Sequence, residues 1–241
     1  MQEKKRLQTK ILGVRVNFIK LEQAVRWVEG RLKYNKPGQI TTPNPEQVVL
    51  AQKDDEFRQI LNNSDLAICD GVGLALVSGI TRLSGTDLML ALCQKAKQKK
   101  WRVFLLGGKP GVAKLVASSL NASYDSGAID ISRETGEERK RIIKKINACK
   151  PHLLFVAYGA PYQEKWIARN LSQLKVGMAM GVGGSFDYLA GKVWRAPEII
   201  RSIGLEWLWR LTHQPWRLKR QLSLAKFVRL IILNKIKRLK D

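Results

Sequence analysis

The sequence predicts an α/β protein whose mostly parallel sheet is covered by helices. Short apolar runs rich in β-branched residues alternate with longer helical segments between residues 11 and 182. Glycine clusters directly follow several of these runs, as is common where the strands of an open sheet end at a ligand-binding edge. Such alternation is typical of parallel sheets, and it stops after the last of these runs.

Each strand prediction rests on a short run that is apolar or that alternates in polarity. Residues 11–19 alternate and are rich in β-branched side chains, and residues 101–106 end in a glycine pair. The predicted strands cover residues 11–19, 39–42, 65–69, 101–106, 152–157 and 176–182.

The helix predictions rest largely on signals at the helix starts. Asn44 is a suitable N-cap with Pro45 in the first turn, and Pro110 and Pro161 open two later helices. The predicted helices cover residues 21–33, 45–53, 55–62, 86–99, 110–120, 137–149 and 162–170. Residues 121–136 are small and polar, so we predict a loop there.

The C-terminal part differs from the rest, and we divide the chain into an α/β domain over 1–194 and a helical appendage over 195–241. From Trp216 to Lys240 the appendage has nine basic residues and no acidic one. A solvated helical face, an RNA-binding surface and a membrane-lying helix are all open for this segment. An apolar stripe fits the membrane interpretation and consists of Leu218, Leu222, Ala225, Ile232 and Ile236. Phe227, Leu230 and Ile231 lie off this stripe and could pack on the globular body.

Composition constrains the partners and the compartment. The chain has 43 Lys and Arg against 20 Asp and Glu, a net charge of +23 that indicates an anionic partner. The three cysteines are far apart, so neither a zinc site nor a disulfide framework is indicated, and reduced thiols in the cytosol fit best. No signal peptide and no apolar run long enough to span a bilayer is apparent, which predicts at most a surface association with a membrane.

Asp70 is the candidate catalytic residue. It follows the apolar run 66–69 and opens a glycine-rich loop that starts at Gly71. A carboxylate at the carboxyl end of a strand is a candidate general base. The alternative is that an aspartate before glycine is simply a turn residue.

The other candidates each have a structural alternative. The glycines at 183–184 could hold phosphate through backbone N–H groups, or could only form a turn. Arg82 could reach the ligand or be a solvated surface residue, and Gln163 could face the crevice with Glu164 or cap its helix. No Asp-X-Asp pair occurs, so we expect arginine, lysine and backbone to neutralise any diphosphate, with no metal and no cofactor.

These motifs, in this order, resemble those of the WecG/TagA/CpsF family of bacterial glycosyltransferases, through nearly the whole chain. The matching segments are Thr-Pro-Asn-Pro-Glu (42–46), Asp-Gly-Val-Gly (70–73), Arg-Leu-Ser-Gly-Thr-Asp (82–87), the glycine-containing segments 105–112, 159–164 and 181–191, Arg-Ala-Pro (195–197) and Gly-Leu-Glu-Trp-Leu-Trp-Arg-Leu (204–211). The segment 121–130 departs from the family pattern, because it is short and lacks the strand that is common there. The departure predicts a sheet that is incomplete at this edge.

The resemblance implies a Rossmann-like fold of the GT-E type and a peripheral enzyme at the cytoplasmic face of the cell membrane. Such enzymes move an N-acetylmannosamine-type sugar from UDP to undecaprenyl-diphosphate-linked N-acetylglucosamine, with inversion and without metal, in the synthesis of teichoic acid or another cell-wall or surface polysaccharide. The resemblance places the general base on Asp70 and polar pocket residues on Thr42, Asn44, Arg82 and Gln163. Candidate ligands of the leaving UDP are the backbone amides of Gly183 and Gly184 and the side chains of Arg82, Arg210, Arg217 and Arg220.

Two other function classes compete with this one. A basic module that binds nucleic acid without catalysis would explain the charge but would not need Asp70. A dinucleotide oxidoreductase would need a full Gly-X-Gly-X-X-Gly motif, which is absent. We expect a UDP-sugar, a polyprenyl-diphosphate-linked sugar and an anionic membrane surface as partners, and no nucleic acid. The identity of the donor sugar and the oligomeric state, a homo-oligomer included, remain open.

Overall fold

A computed structural model describes residues 8–34, 36–202, 204–213 and 218–238. The strands are β1 (Gln8–Ile11), β2 (Val14–Asn17), β3 (Gly38–Thr41), β4 (Leu66–Ala67), β5 (Val103–Gly107), β6 (Ser123–Asp125), β7 (Leu153–Ala157) and β8 (Met178–Gly181). Six of them form one sheet in the order β4-β3-β8-β7-β5-β6, and all neighbours are parallel. The predicted α/β class with a parallel sheet is confirmed.

The helices connect and cover these strands. They are α1 (Leu21–Arg31), α2 (Pro45–Ala51), α3 (Asp55–Asn63), α4 (Val72–Ser78), α5 (Gly85–Lys99), α6 (Val112–Leu120), α7 (Gly136–Cys149), α8 (Tyr162–Asn170), α9 (Ser185–Leu189), α10 (Glu198–Ser202), α11 (Glu206–His213) and α12 (Leu218–Arg238). Asn44 caps α2 as predicted, because its Oδ1 accepts a hydrogen bond from the Gln47 N–H at 2.9 Å.

The first predicted strand is wrong in one respect. Residues 8–17 form an antiparallel hairpin of β1 and β2, in which Ile11 pairs with Val14, and not one strand over 11–19. Leu12 and Gly13 both have positive φ, at 48° and 79°. This two-residue turn reverses the chain with the twist that hairpins favour.

The predicted loop over 121–136 is also wrong in part, because it contains strand β6. Ser123 pairs with Phe104 of β5, and β6 completes the sheet at its edge. The sequence signal for β6 was weak because the strand is polar and short. Asp125 is nevertheless buried, with its carboxylate 2.8 Å from Arg141 and 2.9 Å from Lys145. Ion pairing with α7 therefore anchors an edge strand that apolar patterning could not reveal.

The sheet separates two apolar layers. One face packs against α1, α5 and α6 through residues such as Val28, Leu92 and Val116, and the other packs against α7 and α8 through Ile146 and Trp166. Burial on both faces explains why the central strands are nearly continuous apolar runs. The carboxyl ends of these strands all open toward one edge.

The described part of the appendage is helical, as predicted, and contacts the body at several points. Phe227 of α12 is 1% exposed and lies in a third apolar cluster with Val48 and Leu74. Arg195 lies 2.6 Å from Asp87 in the first turn of α5. The stripe residues of α12 stay exposed, while Phe227 and Ile231 pack inward as expected from the sequence.

Candidate active site

A cavity of about 440 Å³ lies where β3 and β4 end. Its walls come from the loops after both strands, from α4, and from α11 and α12 of the appendage. Four predicted site residues line it, namely Asn44, Asp70, Arg82 and Arg210. The cavity therefore brings together residues from three distant parts of the chain.

Asp70 is held in place by backbone contacts. Its N–H donates to the Pro43 carbonyl at 2.9 Å, and its Oδ2 accepts from the Gly85 N–H at 3.2 Å. Gly71 has φ of +93°, and a Cβ there would lie 2.9 Å from Pro45 Cδ, so the turn requires glycine. These contacts aim the carboxylate into the cavity, where 27% of the side chain stays exposed.

The electrostatic surroundings of Asp70 suit a base. Withdrawal from water raises the pKa of Asp70, and Arg82 opposes this effect. The Arg82 Nε lies 4.0 Å from the Asp70 Oδ1 atom, which is too long for a hydrogen bond. Asp70 thus keeps a basic oxygen and is not locked into a tight ion pair.

The principal partner of Arg82 is Glu206, which the sequence analysis did not single out. Arg82 Nη2 lies 2.7 Å from Glu206 Oε2, and Arg210 Nη2 lies 2.7 Å from Glu206 Oε1. Burial acts to raise the pKa of Glu206, but Arg210 and Arg82 outweigh it, so the pKa is lowered. Glu206 therefore remains a carboxylate that holds both arginines at the cavity wall.

Each of these arginines retains one buried donor without a partner among the described residues. The Nε atoms of Arg82 and Arg210 are buried and have no hydrogen-bond acceptor within the described ranges. Buried donors without partners are uncommon and ask for a ligand or water. The Arg210 guanidinium also lies 4.8 Å from the ring centre of Tyr188, which fixes its plane.

Thr42 and Gln163 lie beside the cavity rather than on its wall. Thr42 is buried, and its Cγ2 would be 3.1 Å from a Cβ on Gly85, next to the amide that holds Asp70. The Gln163 Oε1 accepts from the N–H groups of Gly159 and Gly183 at 3.1 and 3.0 Å. Gln163 thus ties the loops after β7 and β8 together.

The hydrogen bonds of Gln163 bear on the prediction that the backbone N–H groups at 183–184 bind phosphate. The Gly183 N–H, predicted as a phosphate donor, is used by Gln163. The adjacent Glu164 is fully buried, and its Oε1 accepts from Gln163 and Gln47 at 2.8 and 3.3 Å. Burial raises the pKa of Glu164 to about 7.

The remaining predicted residues are not all placed. Arg217 lies outside the described residues, and Arg220 belongs to the first turn of α12. His152 accepts a hydrogen bond from the Arg102 N–H at 3.0 Å, which fits the structural role expected of it. Glu206 lies in the motif 204–211, but its pairing with Arg82 spans 124 positions and leaves no local signal.

Across the described ranges, no group of three or more His, Cys, Asp and Glu side chains is placed to hold a metal ion. In the same ranges, no helix is both long enough and apolar enough to cross a membrane.

A parallel sheet with a carboxylate and paired arginines at its carboxyl edge suits an α/β enzyme that acts on an anionic substrate. The chain belongs to the glycosyl transferase WecG/TagA/CpsF family, whose model matches residues 9–241. It is therefore a glycosyltransferase, which supports the enzyme interpretation over the nucleic-acid-binding alternative.

Two similar proteins come from bacilli, and both are named N-acetylglucosaminyldiphosphoundecaprenol N-acetyl-beta-D-mannosaminyltransferase. The one from Bacillus subtilis (strain 168) is 36% identical over 195 residues, which cover 78% of this chain and 76% of the relative. The one from Bacillus spizizenii (strain ATCC 23059 / NRRL B-14472 / W23) is 34% identical over 211 residues, covering 83% and 81%.

Proposed function

We propose that this protein transfers an N-acetylmannosamine-type sugar from a UDP-sugar to N-acetylglucosamine linked through diphosphate to undecaprenol, in cell-wall or surface polysaccharide synthesis. The observation that carries the proposal is the cavity in which Asp70 lies beside Arg82 and Arg210. The names of the two bacillar relatives support the acceptor. The surplus of positive charge suits a donor and an acceptor that both contain diphosphate.

In this mechanism Asp70 accepts the proton of the acceptor hydroxyl as the oxygen attacks the anomeric carbon of the donor sugar. Attack from the face opposite the leaving group inverts that carbon. UDP leaves with its bonding electron pair, and its growing charge is stabilised by the guanidinium groups of Arg82 and Arg210, which line the cavity. Side chains on the appendage, with Arg217 and Arg220 as further candidates, would complete the diphosphate site without a metal ion.

Several features support a role for the appendage at the cytoplasmic face of the membrane. The apolar stripe of α12 is exposed beside basic residues such as Lys226 and Lys235. A helix with this composition binds anionic leaflets by charge and shallow insertion. The boundary near residue 194 then separates a catalytic body from a part that serves both anchoring and catalysis.

The test is sugar transfer by the purified full chain. Each of several UDP-sugars is supplied with N-acetylglucosamine diphosphate on a short polyprenyl tail. The mass of the product is measured by mass spectrometry and its anomeric configuration by NMR. We expect one added N-acetylhexosamine with UDP-N-acetylmannosamine and a β linkage in the product. No transfer from any UDP-sugar would overturn the proposal.

A further inference from the structure

The cavity that holds Asp70 has a second, apolar end. Its wall there consists of Val72, Leu76, Trp207, Leu224 and Val228, which we call the apolar groove. These residues come from α4, α11 and α12. The charged end with Asp70, Arg82 and Arg210 and the apolar groove belong to one continuous space.

The groove leaves apolar side chains open to solvent beside the charged end. Leu76 is 80% exposed and Val228 is 49% exposed. Scattered exposed leucines are ordinary, but apolar residues that line one cavity next to convergent polar groups are typical of a ligand site. The composition of the groove therefore favours a hydrocarbon ligand.

The floor of the groove is closed by a tight contact between α4, α2 and α12. A Cβ on Gly73 would lie 2.9 Å from Pro45 Cγ and 3.5 Å from Leu224 Cδ1. Phe227 lies beneath and is buried, so α12 cannot shift inward to fill the groove. These contacts hold α12 against α4 and α2 at one side of the groove.

We propose that the apolar groove binds the first isoprene units of the polyprenyl-diphosphate-linked acceptor. The inference rests on the proposed function and names a subsite for one of its substrates. Such an acceptor carries a sugar, then a diphosphate, then a hydrocarbon chain. The cavity offers a base, paired arginines and apolar walls within one space, which suits these three parts of the acceptor. The chain would leave along α12, whose exposed stripe faces outward next to the groove.

The test compares two soluble acceptors without any membrane or detergent. Both carry N-acetylglucosamine diphosphate, one esterified to a short polyprenyl alcohol and the other to methanol. We expect the wild-type enzyme to have a KM at least tenfold lower for the prenyl acceptor. Leu76→Asn should raise that KM roughly five- to twentyfold, since it removes one leucine from the contact. The KM for the methyl acceptor and for the UDP-sugar should not change.

Matched variants control for effects on folding. Val77→Asn alters the neighbouring residue of α4, which is 45% exposed and does not line the cavity. Val228→Asn and Leu233→Asn form a second pair on α12, where Leu233 is outside the lining. We expect Val228→Asn to behave like Leu76→Asn, and both controls to behave like wild type.

The possible outcomes distinguish the groove proposal from the proposed function. The groove proposal would be overturned if the wild type had equal KM values for both acceptors. It would also be overturned if Leu76→Asn and Val228→Asn kept the full wild-type difference in KM between the prenyl and methyl acceptors. A defect of these variants that emerges only with membrane vesicles would also overturn it, because the surface would then contact the leaflet. Failure of the wild type to transfer sugar to either acceptor would instead overturn the proposed function.

Discussion

Asp70 is the residue on which the proposed chemistry depends most directly. Asp70→Asn keeps the size of the side chain and can still accept the Gly85 N–H, so the fold should persist. Loss of a general base commonly lowers the rate by about 10² to 10⁴. We expect kcat to fall by this factor with little change in the thermal unfolding midpoint. A purified variant with near-normal kcat would remove Asp70 from the mechanism, and exposed Asp55→Asn serves as the control.

Glu206 sets how strongly the arginines act on Asp70. The groups that face Asp70 are Arg82, Arg210, Glu206 and the Gly85 N–H, and the negative charge of Glu206 helps to raise its pKa. Glu206→Gln removes that charge and frees both arginines to lower the pKa of Asp70. We expect the acidic limb of the profile of kcat/KM against pH to move to lower pH, with a lower plateau because the base is weaker.

This pH signature separates positioning from mere destabilisation. A variant that only loosens the fold would lower the plateau without moving the limb. Glu198→Gln, on exposed α10, is the matched control and should leave the profile unchanged. An unmoved acidic limb in a folded Glu206→Gln protein would contradict the role given to Glu206.

Glu164 should make the stability of the protein depend on pH. Its pKa is about 7 in the folded state against an ordinary 4.5, so the folded protein binds the proton more tightly than the unfolded chain. The contribution of this protonated group to the free energy of unfolding is complete below about pH 4.5 and is lost as the pH rises to 7. The loss amounts to roughly 3 kcal/mol.

Urea unfolding at several pH values measures this effect. Glu164→Gln should flatten the decline between pH 4.5 and 7, since the amide carries no proton to lose. Glu137→Gln changes an exposed glutamate on α7 and should keep the decline. An equal slope in wild type and Glu164→Gln would contradict the expectation.

Some of the site residues could be predicted from the sequence, and others could not. Asp70 and Asn44 were predictable because local signals, a strand end and a helix start, carry them. Glu206 and the exact partner of Gln163 were not, since both arise from contacts between residues far apart in the chain. Local pattern can suggest which groups are reactive, but the pairs they form depend on packing.

Among the elements, α12 combines two faces with different roles. Phe227 and Ile231 pack on the body, while the stripe that includes Leu222 and Ile232 is exposed among basic residues. The double variant Leu222→Ser and Ile232→Ser should reduce sedimentation with anionic liposomes several-fold, because it removes the apolar part of the membrane contact. High salt should weaken the remaining binding.

The control for this experiment is Leu115→Ser, an exposed leucine on α6 away from the appendage. It should sediment like wild type. Turnover of a soluble acceptor should be nearly normal in the double variant, because these residues do not line the cavity. Undiminished sedimentation would show that α12 is not the anchor.

Some secondary-structure elements could not be predicted from the sequence pattern. Helix α4 was missed because Gly71 and Gly73 suggest a loop, although a Cβ at either would lie 2.9 Å from Pro45 and the glycines serve packing. Strands β5, β7 and β8 were predicted within a few residues, since buried parallel strands are unmistakably apolar. Short edge elements such as β6 lack that signal.

For the whole molecule, we expect catalysis without a divalent ion. The expectation rests on Arg82 and Arg210, which line the cavity and whose two positive charges exceed the single negative charge of their partner Glu206. The initial rate in EDTA should equal the rate in Mg²⁺ or Mn²⁺. A loss of activity in EDTA that added metal restores would contradict this expectation.

The ion pair between Arg82 and Glu206 also orders events during synthesis of the chain. Ribosomes add on the order of 5–20 residues per second, so Glu206 is made roughly ten seconds after Arg82, which precedes it by 124 positions. Strands β3 and β4, which end beside Asp70, are made well before Glu206. The cavity is therefore completed late in synthesis, after α11 has been made, so under the proposed function a nascent chain cannot transfer sugar before its C-terminal helices exist.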